Sequence, residues 1–132
     1  SIVMATVVFA DIRNFTSLSE QLDPQKLLAT LNEHFSGMID CSIAHNGVID
    51  KFIGDCLMSV HGIPFSSPDD AFNAVESILD TLAFLDKISQ ERAAQGLPVL
   101  SVGVGANSGM MLAGNLGNES RADFTVVGDA VN

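Results

Sequence analysis

Ile2-Val3-Met4-Ala5-Thr6-Val7-Val8-Phe9-Ala10-Asp11 opens the chain, an apolar and β-branched run that ends on a carboxylate. The run does not alternate apolar with polar residues, which is the pattern of a central strand covered on both faces. An aspartate at the mouth of a buried strand is costly unless something cationic meets it. Asp55 follows 44 positions later in Val48-Ile49-Asp50-Lys51-Phe52-Ile53-Gly54-Asp55, just ahead of a second apolar run, Cys56-Leu57-Met58-Ser59-Val60. Two acids, each beside a strand, point to a shared divalent metal. The turn after Asp11, leading into a helix, suits a phosphate group.

Outward from that strand the elements follow in order. Thr16 or Ser17 begins a short helix. Asp23-Pro24 reads as N-cap and first helical position. Leu27, Leu28, Leu31, Phe35, Met38, Ile39 and Ile43 recur at helical spacing, which predicts an amphipathic helix over 24–45 that Asn46-Gly47 stops. Residues 48–53 and 56–62 read as a hairpin turning at Gly54-Asp55. Ser67 caps a third helix with Pro68 at its start; Phe72, Val75, Ile78, Leu79, Leu82 and Leu85 form its expected buried face, and it runs to about Arg92. Gly96-Leu97-Pro98 breaks it. Val99 to Ala106, Met110 to Leu116 and 122–127 read as further strands, with Ser108-Gly109 in a turn. The fold class is α+β: a ferredoxin-like βαββαβ core with an extra helix and strands, its helices on one face of the sheet.

Composition narrows the function. With 132 residues the chain is one domain, and 47% apolar residues suffice for a core. A formal charge of −10 with only six Lys and Arg excludes a nucleic-acid role, since no basic stripe is present to meet a phosphate backbone. Any phosphate must be met by metal ions, backbone amides and a few placed cations. The opening apolar run is half the length of a membrane span and lacks a basic leader, so no membrane segment or signal peptide is expected. Serine at position 1 is read as a sign of a domain cut from a longer protein. Cys41 and Cys56 lack a metal-ligand spacing and are expected as reduced thiols of a cytoplasmic domain.

Three segments carry chemistry. Two close carboxylates repel unless a cation lies between them, and Mg²⁺ takes one or two carboxylates plus substrate phosphate oxygens. Two such ions about 3.5–4 Å apart clamp an in-line phosphoryl displacement. Either aspartate alone also suits a turn or a helix cap. The segment Ile12-Arg13-Asn14-Phe15-Thr16 presents amides at a helix start without any Walker-type glycine pattern. In the last segment, Thr125, Asp129 and Asn132 are interleaved densely with small and apolar residues. His34, His45 and His61 lack ligand spacing, and Ser108 lacks a partnered base.

Together these stretches resemble the class III nucleotidyl cyclases, the adenylate and guanylate cyclase catalytic domain. The matching residues are Val8-Phe9-Ala10-Asp11-Ile12-Arg13-Asn14-Phe15-Thr16, Asp50-Lys51-Phe52-Ile53-Gly54-Asp55 and Asp123-Phe124-Thr125-Val126-Val127-Gly128-Asp129-Ala130-Val131-Asn132. The resemblance covers essentially the whole chain. It implies a class III cyclase fold over residues 1–132, truncated at its C-terminal strands.

The resemblance implies that Asp11 and Asp55 hold two Mg²⁺ or Mn²⁺ ions per active site, helped by the backbone carbonyl of Ile12. It implies that the amides of Asn14, Phe15 and Thr16 receive the triphosphate, with Asn14 standing where many members have glycine. Lys51 and Thr125 fall on the base-selecting positions, and Lys with Thr is the adenine-selecting combination of a bacterial subtype. Asn132 matches the asparagine that orients the ribose, and Arg121 is a candidate phosphate contact. The family's transition-state arginine lies four positions beyond Asn132, outside this sequence. The implied reaction converts ATP to 3′,5′-cyclic AMP and pyrophosphate in a signalling protein. The implied partner is a second copy of the chain in a head-to-tail homodimer, fused to regulatory domains. The alternative is a degenerate cyclase-like domain that binds nucleotide or a partner without turnover.

Overall fold

The computed structural model describes residues 1–53, 55–117 and 122–132, and of residues 116 and 122–124 only the backbone. Its elements are β1 (Ile2–Ile12), α1 (Phe15–Gln21), α2 (Pro24–Ala44), β2 (Val48–Ile53), β3 (Cys56–His61), α3 (Asp70–Ala94), β4 (Val102–Gly117) and β5 (Ala122–Val127). The sheet runs β2-β3-β1-β4-β5 with every pairing antiparallel. The expected βαββαβ core is therefore present, and β1 is its central strand.

Both faces of β1 are buried, as its unbroken apolar run requires. Ala10 packs with Leu57, Met38 and Leu85 against the helices. Val3, Ala5 and Val7 point the other way, into a cluster with Met58, Val60, Met111 and Val126. No helix backs this second cluster among the described residues, yet Val7, Met58 and Val60 have no exposed surface. They are buried because the sheet curls: Lys51 on the β2 edge reaches Thr125 on the β5 edge.

Local signals act where the sequence places them. The Asp23 side chain accepts from the Lys26 amide at 3.0 Å, capping α2 ahead of Pro24. Asn46 closes α2 in the left-handed region at φ 64, and Gly47 donates to the Ser42 carbonyl at 2.9 Å. That is a Schellman closure with asparagine in the position glycine usually takes. Gly37 admits the Phe84 ring: a Cβ there would lie 2.0 Å from the ring's Cζ, so α2 and α3 approach closely at this point.

Three expectations are corrected. The buried face of α3 is Ala74, Ser77, Thr81, Leu85, Ile88 and Arg92, whereas Phe72, Val75, Leu79 and Leu82 are exposed. Small side chains let the helix lie close to the sheet, which displaces the bulky stripe outward. Helix α2 behaves alike, burying Thr30, His34, Met38 and Ser42 while Leu28 and Ile43 face outward. Second, α3 begins at Asp70 with Asp69 rather than Ser67 at its N-cap position: the Ser67 hydroxyl accepts from the Asp69 amide and the Asp70 carboxylate, in the first turn, accepts from the Ser67 amide. Third, Ser108-Gly109 lies inside a single strand β4. Pairing with β1 runs unbroken through it, and the Thr6 and Ser108 hydroxyls bond at 2.7 Å.

The helices are tied by Arg92, which is buried. Its Nε donates to the Pro98 carbonyl at 2.6 Å and its Nη2 to the Thr30 hydroxyl at 3.0 Å, while Nη1 meets the Glu33 carboxylate. No helix among the described residues is long and apolar enough to cross a membrane.

Candidate active site

The first constellation sits where β1 runs past the end of β3. Asp11 is paired with Cys56 across these strands, and the Ile12 amide donates to the Asp55 carbonyl at 3.1 Å. Asp11 and Asp55 thus flank one cross-strand hydrogen bond. Both charges reach the Cys56 thiol, whose pKa is pushed up first by burial and then by Asp11 and Asp55. The pairing puts Asp11 on the sheet face of Phe9 and Val7, away from the helices.

Beyond Ile12 the chain turns at once. The Arg13 amide donates to the Ser101 carbonyl at 2.8 Å, and Asn14 takes the left-handed conformation at φ 57. Asparagine tolerates that region better than most residues, so the turn survives without glycine. Helix α1 starts at Phe15, one residue earlier than expected. Its first-turn amides, those of Phe15 and Thr16 included, have no intrahelical acceptor. Arg13, which no motif singled out, lies against Gly103, the strand partner of Asp11.

The second constellation joins the two edges of the sheet. Lys51 Nζ donates to Thr125 Oγ1 at 2.7 Å, and Thr125 Oγ1 donates to Asp50 Oδ2 at 2.9 Å. Lys51 Nζ also lies 3.3 Å from Asp50 Oδ2. The Asp50 side chain is 1% exposed and that of Lys51 41%. Consecutive strand residues normally face opposite ways. Here the β2–β3 register slips between Ile49 and Lys51, so Asp50 is an inserted bulge residue and both side chains reach one hydroxyl. Asp50 had no signal of its own in the sequence, because the bulge depends on how β2 pairs.

Asn132 is exposed, after a turn in which the Val131 amide donates to the Gly128 carbonyl at 3.1 Å. Asn107 Nδ2 holds this turn through the Ala130 carbonyl at 3.2 Å. Arg121 lies outside the described residues. The histidines are structural: His34 bonds the Thr30 carbonyl, His61 the His45 carbonyl, and His45 pairs with Asp80 at 2.6 Å. Both cysteines are free thiols.

Among the described residues no group of three or more His, Cys, Asp or Glu could hold a metal ion by itself. The donors at the β1–β3 junction are hard oxygens, two carboxylates and main-chain carbonyls. This set fits Mg²⁺ or Mn²⁺ completed by substrate oxygens and does not resemble a closed structural site.

The curled antiparallel sheet with helices on one face is the architecture of solved nucleotide cyclase catalytic domains. The chain superposes on the guanylyl cyclase Cya2 with a TM-score of 0.92 at 37% identity, covering 99% of this chain and 66% of that one. It matches the adenylyl cyclase CyaB from P. aeruginosa equally well, with a TM-score of 0.92 at 35% identity over 99% of this chain and 68% of that one. Residues 2–132 match the family model of the adenylate and guanylate cyclase catalytic domain, and the chain belongs to that family. An adenylate cyclase of Anabaena cylindrica is 40% identical over 131 residues, 96% of this chain and 25% of that protein. Adenylate cyclase 1 of Rhizobium meliloti is 31% identical over 96% of this chain and 19% of its own length. The chain thus spans a quarter or less of these relatives.

Proposed function

We propose that this chain is the catalytic domain of an adenylate cyclase, forming 3′,5′-cyclic AMP and pyrophosphate from ATP. Family membership leaves the base open, since similar structures include a guanylyl and an adenylyl cyclase. The observation that carries the choice is the contact of Lys51 with Thr125 at 2.7 Å. An ammonium donates to the unprotonated N1 of adenine, and a hydroxyl beside it accepts from the 6-amino group. Guanine carries a proton on N1 and an oxygen at position 6, so it meets the ammonium donor–donor.

Asp11 and Asp55, with the Ile12 carbonyl, would hold Mg²⁺ or Mn²⁺. Bound there, the ions supply positive charge to the phosphates and acidify the ribose 3′-hydroxyl. The chain's own groups orient the substrate. The amides of Asn14, Phe15 and Thr16 receive phosphate oxygens, and Asn132 holds the ribose so that its hydroxyl lines up with the α-phosphorus. No side-chain nucleophile is required. A head-to-tail homodimer pairs the acids of one copy with the Lys51–Thr125 pair of the other, giving two equivalent sites. As part of a longer cytoplasmic signalling protein, the domain would take its activating input from flanking regions.

The test is turnover of ATP and of GTP by the full-length protein with Mg²⁺ and with Mn²⁺, products separated by chromatography. Cyclic AMP as the main product supports the reading. Cyclic GMP as the main product reverses the base assignment, and binding without either product identifies a non-catalytic domain.

A further inference from the structure

We propose that Asp50 is a positioning residue that locks the Thr125 hydroxyl as a hydrogen-bond acceptor and so makes the site select a 6-aminopurine over a 6-oxopurine triphosphate. The proposal rests on the reading of Lys51 and Thr125 as base contacts and adds what gives an ambivalent hydroxyl its polarity.

A threonine hydroxyl has one proton and two lone pairs, so alone it serves a 6-amino or a 6-oxo group equally. Its neighbours here remove that freedom. Lys51 can only donate and the Asp50 carboxylate can only accept. With Oγ1 2.7 Å from Lys51 Nζ and 2.9 Å from Asp50 Oδ2, the hydroxyl proton must point at Asp50 and one lone pair at Lys51. What remains is one lone pair. An incoming base meets an acceptor at Thr125 and a donor at Lys51, which is the complement of a 6-aminopurine edge. A 6-oxopurine opposes oxygen to oxygen and N–H to N–H, and buried groups left unpaired in this way discriminate strongly.

Two observations make Asp50 fit the role. Its side chain is 1% exposed, so water does not compete for the hydroxyl proton, and a hydrogen bond in such surroundings is electrostatically strong. It is the residue inserted by the β2 bulge, the local irregularity that lets it stand beside Lys51. Its second oxygen, Oδ1, is buried and has no partner among the described residues, where the bonds this carboxylate makes all go to the Thr125–Lys51 side.

The experiment measures kcat/KM for ATP, GTP and purine riboside triphosphate, which has hydrogen in place of the 6-amino group. It compares the full-length protein with its Asp50→Asn, Asp50→Ala and Thr125→Val variants, folding being checked by circular dichroism. Asp50→Asn keeps the volume but releases the hydroxyl, because an amide either accepts or donates. The ATP-over-GTP ratio should fall about tenfold or more in each folded variant, and the penalty for losing the 6-amino group should shrink in parallel. Unchanged ratios in a folded Asp50 variant overturn the proposal. Thr125→Val leaves Asp50 in place, so an unchanged ratio there overturns it even if both Asp50 variants fail to fold. If the wild type forms no cyclic nucleotide, the catalytic reading fails separately, and displacement of a fluorescent ATP analogue by ATP and by GTP still reads the role of Asp50. A wild type that prefers GTP sinks both.

Discussion

The amide of Ile12 donates to the carbonyl of Asp55 at 3.1 Å, and this single bond fixes the end of the central strand to the hairpin that carries the second acid. Asp11 and Asp55 sit on either side of it. The register Asp11↔Cys56 sets Asp55 opposite Ile12, so β1–β3 pairing makes the two acids near neighbours, and burial and then both charges push up the pKa of the Cys56 thiol beside them. Changing either side chain leaves the backbone bond intact.

Asp11→Ala and Asp55→Ala should accordingly abolish turnover while sparing the fold. Each is expected to lower kcat by at least about 100-fold, the order of a lost transition-state charge contact. The melting temperature should stay within a few degrees of wild type, because Asp11 is exposed and Asp55 half-buried. Loss of activity accompanied by unfolding would instead make the pair structural.

Arg92 is the opposite case. It is buried and bonds Thr30, Glu33 and Pro98, so Arg92→Ala removes several hydrogen bonds from a charged donor at once. Urea denaturation should register a loss of about 2–4 kcal/mol. A loss below about 0.5 kcal/mol would mean that water replaces these contacts.

Gly37 and Phe84 are coupled through the close approach of α2 and α3. Gly37→Ala should destabilise the wild type by about 1–3 kcal/mol, since the Phe84 ring occupies the place of the new methyl group. In a Phe84→Ala background the same change should stabilise by about 1 kcal/mol, the helix-propensity gain over glycine. Equal effects in both backgrounds would deny the contact.

Buried histidines give stability a defined pH dependence. Burial of the ring is the largest influence on His34 and on His61, and it pulls both below the ordinary value despite their bonds to main-chain carbonyls. The unfolded chain then binds more protons than the folded one below about pH 6.5, so these groups leave stability undiminished above that pH and erode it as pH falls. Each contributes a slope of up to about 1.4 kcal/mol per pH unit. Urea midpoints at pH 7.5 and 5.5 should show the drop, and His61→Gln should flatten it; a midpoint that rises on acidification contradicts the sign.

The central strand, the Asp23-Pro24 cap, the hairpin and the βαββαβ order were all legible in the residues, because local pattern and tertiary role agree at those positions. The helix faces were not. Thr30, His34, Ser42, Ser77 and Thr81 are buried where helices press closely on the sheet, and no hydrophobic period marks them. The turn expected at Ser108-Gly109 gave way to continuous pairing with β1, which outweighs local turn preference. Asp11 and Asp55 were singled out by strand position alone, and β1–β3 pairing places both at one junction. Lys51 and Thr125 were singled out only through resemblance, because their contact depends on the curl of the sheet. Asp50 was missed altogether, as its burial is created by a bulge.

The most direct measurement is cyclic AMP formation by co-expressed Asp55→Ala and Lys51→Ala proteins, compared with each alone and with wild type. Each variant alone should be at least about tenfold less active than wild type. In a head-to-tail dimer the mixed pair rebuilds one intact site, so statistical mixing should restore about a quarter of wild-type activity. Activity no greater than the mean of the two single variants, from a wild type that does form cyclic AMP, would contradict the shared site.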